Sequence, residues 1–365
     1  VSEAIAVMHL VATLDAGGAE RMAVNLVNHL PRQRYQLHLC STRADGPLAP
    51  LVRDDVTWLR LGRTRRYDRA ALVRLVAHVR RHRVRILHAH SDALFAAVLA
   101  SLQPPYPRVV WHDHFGGVLP RRRVLPYWLA ARRVRAIIAV NGALAAWARR
   151  RLRVREERVR YVTNFVEPHP TASVAAAPVL PGVAGHRVAC VAHLREQKDH
   201  VTLVRAFARV VAREPRAHLL LVGAAPDPAQ LARVQGEIAA QGLVAHVTWL
   251  GPRDDVPAVL AQCAVGVLSS RSEGLPLALL EYGAAELATV STAVGQCAEV
   301  LDAGRCGALV PAGDAAALGD AMHALLVDAD GRRTLGARLG ERVRTTYDIA
   351  RALRAVEDVY DRALA

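Results

Sequence analysis

Two carboxylates and one ammonium have types and spacing that could do chemistry. Glu273 and Glu281 lie in the stretch Ser269-Ser270-Arg271-Ser272-Glu273-Gly274-Leu275-Pro276-Leu277-Ala278-Leu279-Leu280-Glu281. An apolar run precedes it and an apolar run with helical spacing follows, so it reads as strand, polar turn, helix. Pro276 suits the first helical turn, where its missing N–H costs nothing. A helix start offers free N–H groups and partial positive charge, which suit a phosphate. Glu281 stands roughly 7–8 Å along the axis from Pro276. One carboxylate can then address the near side of a bound diphosphate and the other a group beyond it. A surface turn with two solvated glutamates is the plainer alternative, but it fits poorly with the Ser-rich loop, the buried strand and the apolar helix. Of the 48 Lys and Arg residues, Lys198 alone is lysine. In a chain that writes Arg almost everywhere else, a single ammonium points to a site that needs a compact charge.

Two other groups could take part. His88-Ala89-His90-Ser91 and His112-Asp113-His114 follow apolar runs, and in open parallel sheets ligands sit at the carboxyl ends of strands. His-x-His can bind zinc, but no third ligand stands at telling spacing, so the sequence reading assigns no metal. Histidines bonded to loop backbone are the structural alternative. The pair Gly17-Gly18 between a strand and a helix permits close backbone approach to a ligand. It is not G-x-G-x-x-G, so a dinucleotide fingerprint is absent.

The elements that must position these residues alternate throughout as β-α-β-α, which predicts an α/β chain of parallel sheets covered by helices. Strands are expected at Ile5–Val11, Gln36–Cys40, Thr57–Leu61, Arg85–His88, Arg108–Trp111 and Ala136–Val140. Helices are expected near Ala70–Arg81, Asp92–Leu102, Arg123–Ala131 and Ala143–Leu152. A stretch rich in Pro, Ala, Gly and Val follows and reads as a linker. The second half restarts with a strand at Arg187–His193 and continues with strands at Ala217–Gly223, His246–Leu250 and Ala264–Leu268. The tail Ala350–Leu364 is an amphipathic helix.

With 365 residues, the chain has room for two domains. The net charge of +15 is lopsided. Residues 1–175 hold 29 Arg, no Lys and 12 Asp and Glu, whereas the remainder holds 19 basic and 21 acidic residues. Such a field attracts an anionic surface, an acidic acceptor or nucleic acid, although a composition that favours Arg at exposed positions would give the same count. No nucleic-acid motif accompanies it, and aromatics are few. The five cysteines are scattered with no C-x-x-C, the pattern of reduced thiols in a cytosolic protein. The first residues read as a strand with acidic Glu3 rather than a secretory signal, and no run is long enough to span a membrane.

The stretch at 273–281 has the form E-G-x-P-x-x-x-x-E and resembles the signature of the retaining glycosyltransferases of family GT4. The resemblance spans essentially the whole chain. It implies the GT-B fold: two Rossmann-like parallel-sheet domains facing each other across a cleft, with a C-terminal helix crossing back to the first. The implied boundaries are 1–168 for an acceptor domain, 169–186 for a linker, 187–345 for a nucleotide-sugar domain and 346–365 for the returning helix. The resemblance gives Glu273 to the donor sugar and Glu281 to the ribose hydroxyls. Lys198 matches the cation that meets the leaving diphosphate, with backbone at Gly274, Leu275, Pro276 and Leu277 beside it. Arg253 falls in the loop near the nucleotide base, and Gly295 in a loop lining the diphosphate. In the first half Gly17 and Gly18 match the phosphate and acceptor turn. His114, or His112 in an alternative register, matches a histidine near the reacting sugar. His90 joins the acceptor side, as does Asn164 in Tyr161-Val162-Thr163-Asn164-Phe165.

The chain departs from the pattern where Ala192 and His193 replace Gly and Arg. Either His193, protonated, or another Arg would then supply the second cation. Glu286, Ala288 and Gln296 replace Gly, Pro and Gly. The implied activity is retaining, metal-independent transfer of a hexose-type sugar from a nucleotide-diphosphate sugar to a hydroxyl acceptor. The implied setting is cytoplasmic, with peripheral contact to anionic membrane through the basic half, and no cofactor. The competing readings are a UDP-sugar 2-epimerase on the same fold and a binding protein that lost the chemistry.

Overall fold

The computed structural model describes residues 4–15, 17–65, 68–114, 122–165 and 179–365. The chain forms two compact units. Unit 1 is Val1–Asn164 with Ile349–Ala365, and unit 2 is Phe165–Asp348. Of the expected linker at 169–186, only 179–186 lies among the described residues, and it is irregular there.

Unit 1 runs β1 (Ile5–Val11), α1 (Gly18–His29), β2 (Tyr35–Ser41), β3 (Thr57–Arg60), α2 (Arg69–Arg81), β4 (Ile86–His90), α3 (Leu94–Ser101), β5 (Arg108–Asp113), α4 (Val124–Ala131), β6 (Val134–Ala139), α5 (Gly142–Arg151) and β7 (Val159–Tyr161). The strands form one parallel sheet in the order β3-β2-β1-β4-β5-β6-β7. Parallel strands are buried on both faces, so they read as near-continuous apolar runs. Met8, Leu10, Leu87, Ala89, Val109 and Trp111 fill the core on one face. The register aligns His9 with His88 and His90 with His112. With side chains alternating between faces, the histidines share the face opposite that core.

Two strands run further than the apolar pattern predicts. His90 lies within β4, and His112 and Asp113 within β5, rather than beyond the strand ends. A buried histidine ordinarily signals a strand end because its nitrogens need partners. Here the rings partner one another and the strands continue. The three-residue β7 is also absent from the pattern.

Unit 2 runs β8 (Arg187–Val191), α6 (His200–Val211), β9 (His218–Val222), α7 (Pro228–Ala240), β10 (Val247–Gly251), α8 (Val256–Leu260), β11 (Val265–Leu268), α9 (Leu277–Ala284), β12 (Ala288–Thr292), α10 (Cys297–Val300), β13 (Ala308–Val310), α11 (Ala315–Val327) and α12 (Ala329–Thr346). Its parallel sheet has the order β10-β9-β8-β11-β12-β13. The helix α13 (Ile349–Leu364) closes the chain, belongs to unit 1 and packs on β5 and β6.

Helix α9 starts one residue later than the proline suggests. Pro276 is its N-cap, with φ −75° and ψ 113°, not its first helical residue. The helix is pinned to the sheet by Tyr282, which is fully buried. Its hydroxyl accepts from Val191 N at 2.8 Å and donates to Val267 O at 3.1 Å. Gly266 makes room for the ring, because a Cβ there would lie 2.7 Å from it. After the helix, Glu286 takes φ 50° where the resembled pattern has glycine, and Arg344 holds its carboxylate at 2.7 Å.

The five cysteines are unpaired, and all but half-buried Cys263 are buried. Among the described residues no helix is long and apolar enough to cross a membrane.

Removing the Tyr282 hydroxyl takes away the partner of the partly buried Val191 N–H. Tyr282→Phe should therefore destabilise unit 2 by about 1–3 kcal/mol, read as a lower urea midpoint.

Candidate active site

In unit 2 the strand order steps outward in both directions from β8 and β11. That is the switch point at which open α/β sheets place ligands, beyond the carboxyl ends of the strands. The loops after β8 and β11 meet there. Lys198 ends a one-turn 3₁₀ helix, Glu196–Lys198, in the first loop, and Glu273 stands in the second. Lys198 Nζ lies 2.5 Å from Glu273 Oε1, with the two side chains 19% and 8% exposed. Ser270 Oγ donates to the same carboxylate oxygen at 2.5 Å. Both partners fix the direction of Glu273.

The loops are stitched together by backbone. Arg271 N donates to Gln197 O at 2.8 Å, and Ser269 Oγ donates to Lys198 O at 2.8 Å. Thr292 Oγ1, from β12, donates to Ser270 O at 2.7 Å. Gln296 N donates to Gly274 O at 3.0 Å. Gly295 has φ 54°, and a Cβ there would lie 2.2 Å from Glu273 O. Three adjacent strand ends thus share one cradle.

Asp199 holds the first loop in place. It takes φ 49°, in the left-handed region, and caps α6. Burial pushes its carboxyl pKa up. The bonds from Arg271 at 2.7 Å and from Thr202 outweigh that and hold it below the usual range. The neighbouring His200 is pushed down to about 4 by burial, helped by Lys198, and so stays neutral at pH 7.

Glu281 lies in the second turn of α9, about 6 Å along the axis from Leu277. Gly274, Leu275, Pro276 and Leu277 form the entry to that helix, and no side chain caps it. His193 follows β8 in the same loop, and its Nδ1 accepts from Ala224 N at 3.1 Å. Arg253 is paired with Asp255 at 2.6 Å.

In unit 1, Gly17 is the N-cap of α1 with an ordinary φ of −97°. A Cβ there would meet only the end of the flexible Glu20 side chain, at 2.2 Å from Oε2, so no rigid neighbour demands glycine. Gly18 opens the helix. Asn164 is buried, and its Oδ1 has no partner among the described residues. His90, His112 and His114 come together, joined by His9 and His88. Burial holds all five rings neutral, with His114 pushed down to about 3. Beside them Asp113 and Arg122 form a buried ion pair at 2.6 Å, with the guanidinium 3.9 Å from the Tyr127 ring.

Sequence reasoning missed Ser270, Arg271 and Asp199, whose roles depend on which loops meet. It also missed His9 and Tyr360. His9 carries a visible signal, a lone imidazole inside an apolar strand. Phe115-Gly116-Gly117, after the second histidine pair, lie outside the described residues.

Two parallel-sheet units with a cradle at the switch point of the second define the GT-B class. Over 98% of the chain the structure superposes on HepE from Anabaena, solved with UDP and glucose, with a TM-score of 0.83 at 18% identity and 99% of that chain covered. The model of Glycosyltransferase Family 4 matches residues 16–169, and that of Glycosyl transferases group 1 matches 185–328. The chain belongs to this group 1, family 4 of glycosyltransferases. It is 30% identical over 170 residues to the N-acetyl-alpha-D-glucosaminyl L-malate synthase of Bacillus anthracis, a match spanning 47% of this chain and 44% of that enzyme. It is 26% identical over 240 residues to the lipopolysaccharide core biosynthesis mannosyltransferase LpcC of Rhizobium leguminosarum bv. viciae, covering 65% of this chain and 67% of the relative.

Gly295→Ala should push the Glu273 carbonyl out of place and strain the backbone. The expected outcome is a lower melting temperature together with weakened nucleotide binding in calorimetry. Asp199, with its lowered pKa, adds stability that is complete above its unfolded value of about 3.9 and lost as pH falls through the folded value. Asp199→Asn should therefore destabilise at pH 7, and the gap from wild type should narrow below about pH 4 in denaturant melts.

Proposed function

We propose that the protein transfers a hexose-type sugar, with retention, from a nucleotide-diphosphate sugar to a hydroxyl acceptor. The observation that carries this is the Lys198–Glu273 pair, held by Ser270 at the switch point of unit 2. The HepE complex with UDP and glucose and the mannosyltransferase relative support a sugar nucleotide as donor.

On this reading Lys198 turns from Glu273 toward the donor diphosphate and meets the charge that builds on the leaving oxygen. The uncapped start of α9 adds its N–H groups and dipole. Glu273 addresses the hydroxyls of the sugar and Glu281 those of the ribose. The bond from the sugar C1 to the diphosphate oxygen breaks while the acceptor oxygen bonds C1 on the same face. The acceptor proton leaves on the departing phosphate. These steps need no metal on the diphosphate and no further cofactor. Unit 1 holds the acceptor, with Gly17, Gly18, His114 and Asn164 as its candidate contacts. Its surplus of arginine suits an anionic acceptor or an anionic membrane surface on the cytoplasmic side.

Screening UDP-, GDP-, ADP- and TDP-sugars by thermal shift selects the donor. With that donor, Lys198→Ala and Glu273→Gln should each lower kcat by about 10²-fold or more. Glu281→Gln should chiefly raise the donor KM. Nucleoside diphosphate should appear only when an acceptor is present. Unchanged turnover in the Lys198 and Glu273 variants, or a rearranged sugar nucleotide made without acceptor, would overturn the proposal.

A further inference from the structure

The histidine face of unit 1 is built as a site in its own right. One nitrogen each from His90, His112 and His114 lies within 4.8 Å of the others. His90 Nδ1 is 3.1 Å from His114 Nε2. Zinc–nitrogen bonds of 2.0–2.1 Å at tetrahedral angles require nitrogens roughly 3.3 Å apart, close to that spacing. His112 is 2% exposed, yet its Nε2 has no hydrogen-bond partner among the described residues. Such an orphan is costly in a dry interior.

The outer contacts show how an ion would remove that cost. His90 Nε2 lies 3.1 Å from His9 Nδ1, and His112 Nδ1 lies 3.2 Å from His88 Nε2. The remaining nitrogens of His9 and His88 both meet the Tyr360 hydroxyl, at 3.1 and 2.6 Å. A neutral imidazole has one N–H and one lone pair. Let His90 donate to His9 and His112 to His88. His9 and His88 then donate to the Tyr360 oxygen, whose two lone pairs accept both. Each of the four outer contacts then has one donor and one acceptor, the Tyr360 proton finds no acceptor among these rings, and lone pairs remain on His90 Nδ1, His112 Nε2 and His114 Nε2. In the ion-free alternative His90 and His114 bond each other and His112 Nε2 stays orphaned. The trio His9, His88 and His90 is also tight. The Tyr360 hydroxyl engages its first two members, which places them in the outer ring.

We infer that His90, His112 and His114 bind one first-row transition-metal ion, with zinc the best match, and that His9, His88 and Tyr360 orient the ligands. Three imidazoles with a fourth position open suit zinc, and imidazole also accepts cobalt and nickel. Burial supports this by keeping the rings neutral, as ligation requires. Metal ligands commonly pass their second N–H to an outer partner in this way. The three ligands belong to unit 1, and the Lys198 cradle belongs to unit 2.

The full chain, stripped with a chelator, is titrated with zinc in competition with a chromophoric chelator and with cobalt by visible absorption. The expected result is one ion per chain and a tetrahedral cobalt band. His114→Ala and His112→Ala should each weaken binding by 10-fold or more. His9→Phe, which removes only an outer partner, should cost about 10–100-fold. His78→Ala, in the separate group of His38, His78 and His82, should leave binding unchanged. Lys198→Ala should also leave it unchanged, so that a failed donor reading and a failed metal reading give different results. Circular dichroism establishes that each variant is folded. Absence of stoichiometric binding by the wild-type chain, or equal affinity in the folded His112 and His114 variants, would overturn the inference.

Discussion

A carboxylate and an ammonium 2.5 Å apart, mostly out of water, are the contact on which unit 2 is arranged. Each alone would be expensive in that position, because a buried charge without a partner costs several kcal/mol. Paired, they tolerate burial only while both loops hold still. The surrounding hydrogen bonds supply that stillness: Ser270 on the carboxylate, Ser269 and Arg271 on the Lys198 loop, Thr292 beneath Ser270. The same requirement reaches the backbone, where Gly295 allows the loop after β12 to pass close to Glu273. A diphosphate placed there would inherit a cation already positioned and already largely desolvated.

Unit 1 meets the problem of buried polarity differently. Its switch point between β1 and β4 carries imidazoles rather than charges. Neutral rings can be buried if each nitrogen finds a partner, and five histidines and Tyr360 provide almost all of them for one another. Tyr360 comes from α13, so the end of the chain completes a polar cluster whose other members lie in the first third. That gives a chemical reason for the last helix to belong to unit 1. The polar cluster packs against a sheet whose opposite face is apolar, and the strands run through the histidines because the register stacks them in pairs.

The two units use one architecture for opposite electrostatic ends. In each, the strand order turns outward from a central pair, leaving a gap between the following loops. Loops at such a gap come from distant parts of the sequence, so their side chains combine without constraint from local spacing. Lys198 and Glu273 are 75 positions apart, and His9 and His90 are 81 apart.

Much of this was legible in the residues. The apolar runs located nearly every strand, β1 from Ile5 to Val11 without error, because burial on both faces forces a continuous pattern. The solitary lysine and the pair of glutamates were visible as anomalies of type. Strand ends were read poorly at His90 and Asp113, where polar side chains satisfied across the sheet mimic a boundary. Helix α9 began after Pro276 rather than at it, a matter of one residue of backbone geometry. The sequence by itself determined the rhythm of elements and the residue types that could meet a sugar diphosphate, because periodicity and composition are local. Only the tertiary structure decided that Ser270 fixes Glu273, that Arg271 holds Asp199, that the Ala224 amide donates to His193, and that His9 and Tyr360 join the histidines. Those facts depend on strand order and register, which bring together residues that no spacing along the chain relates.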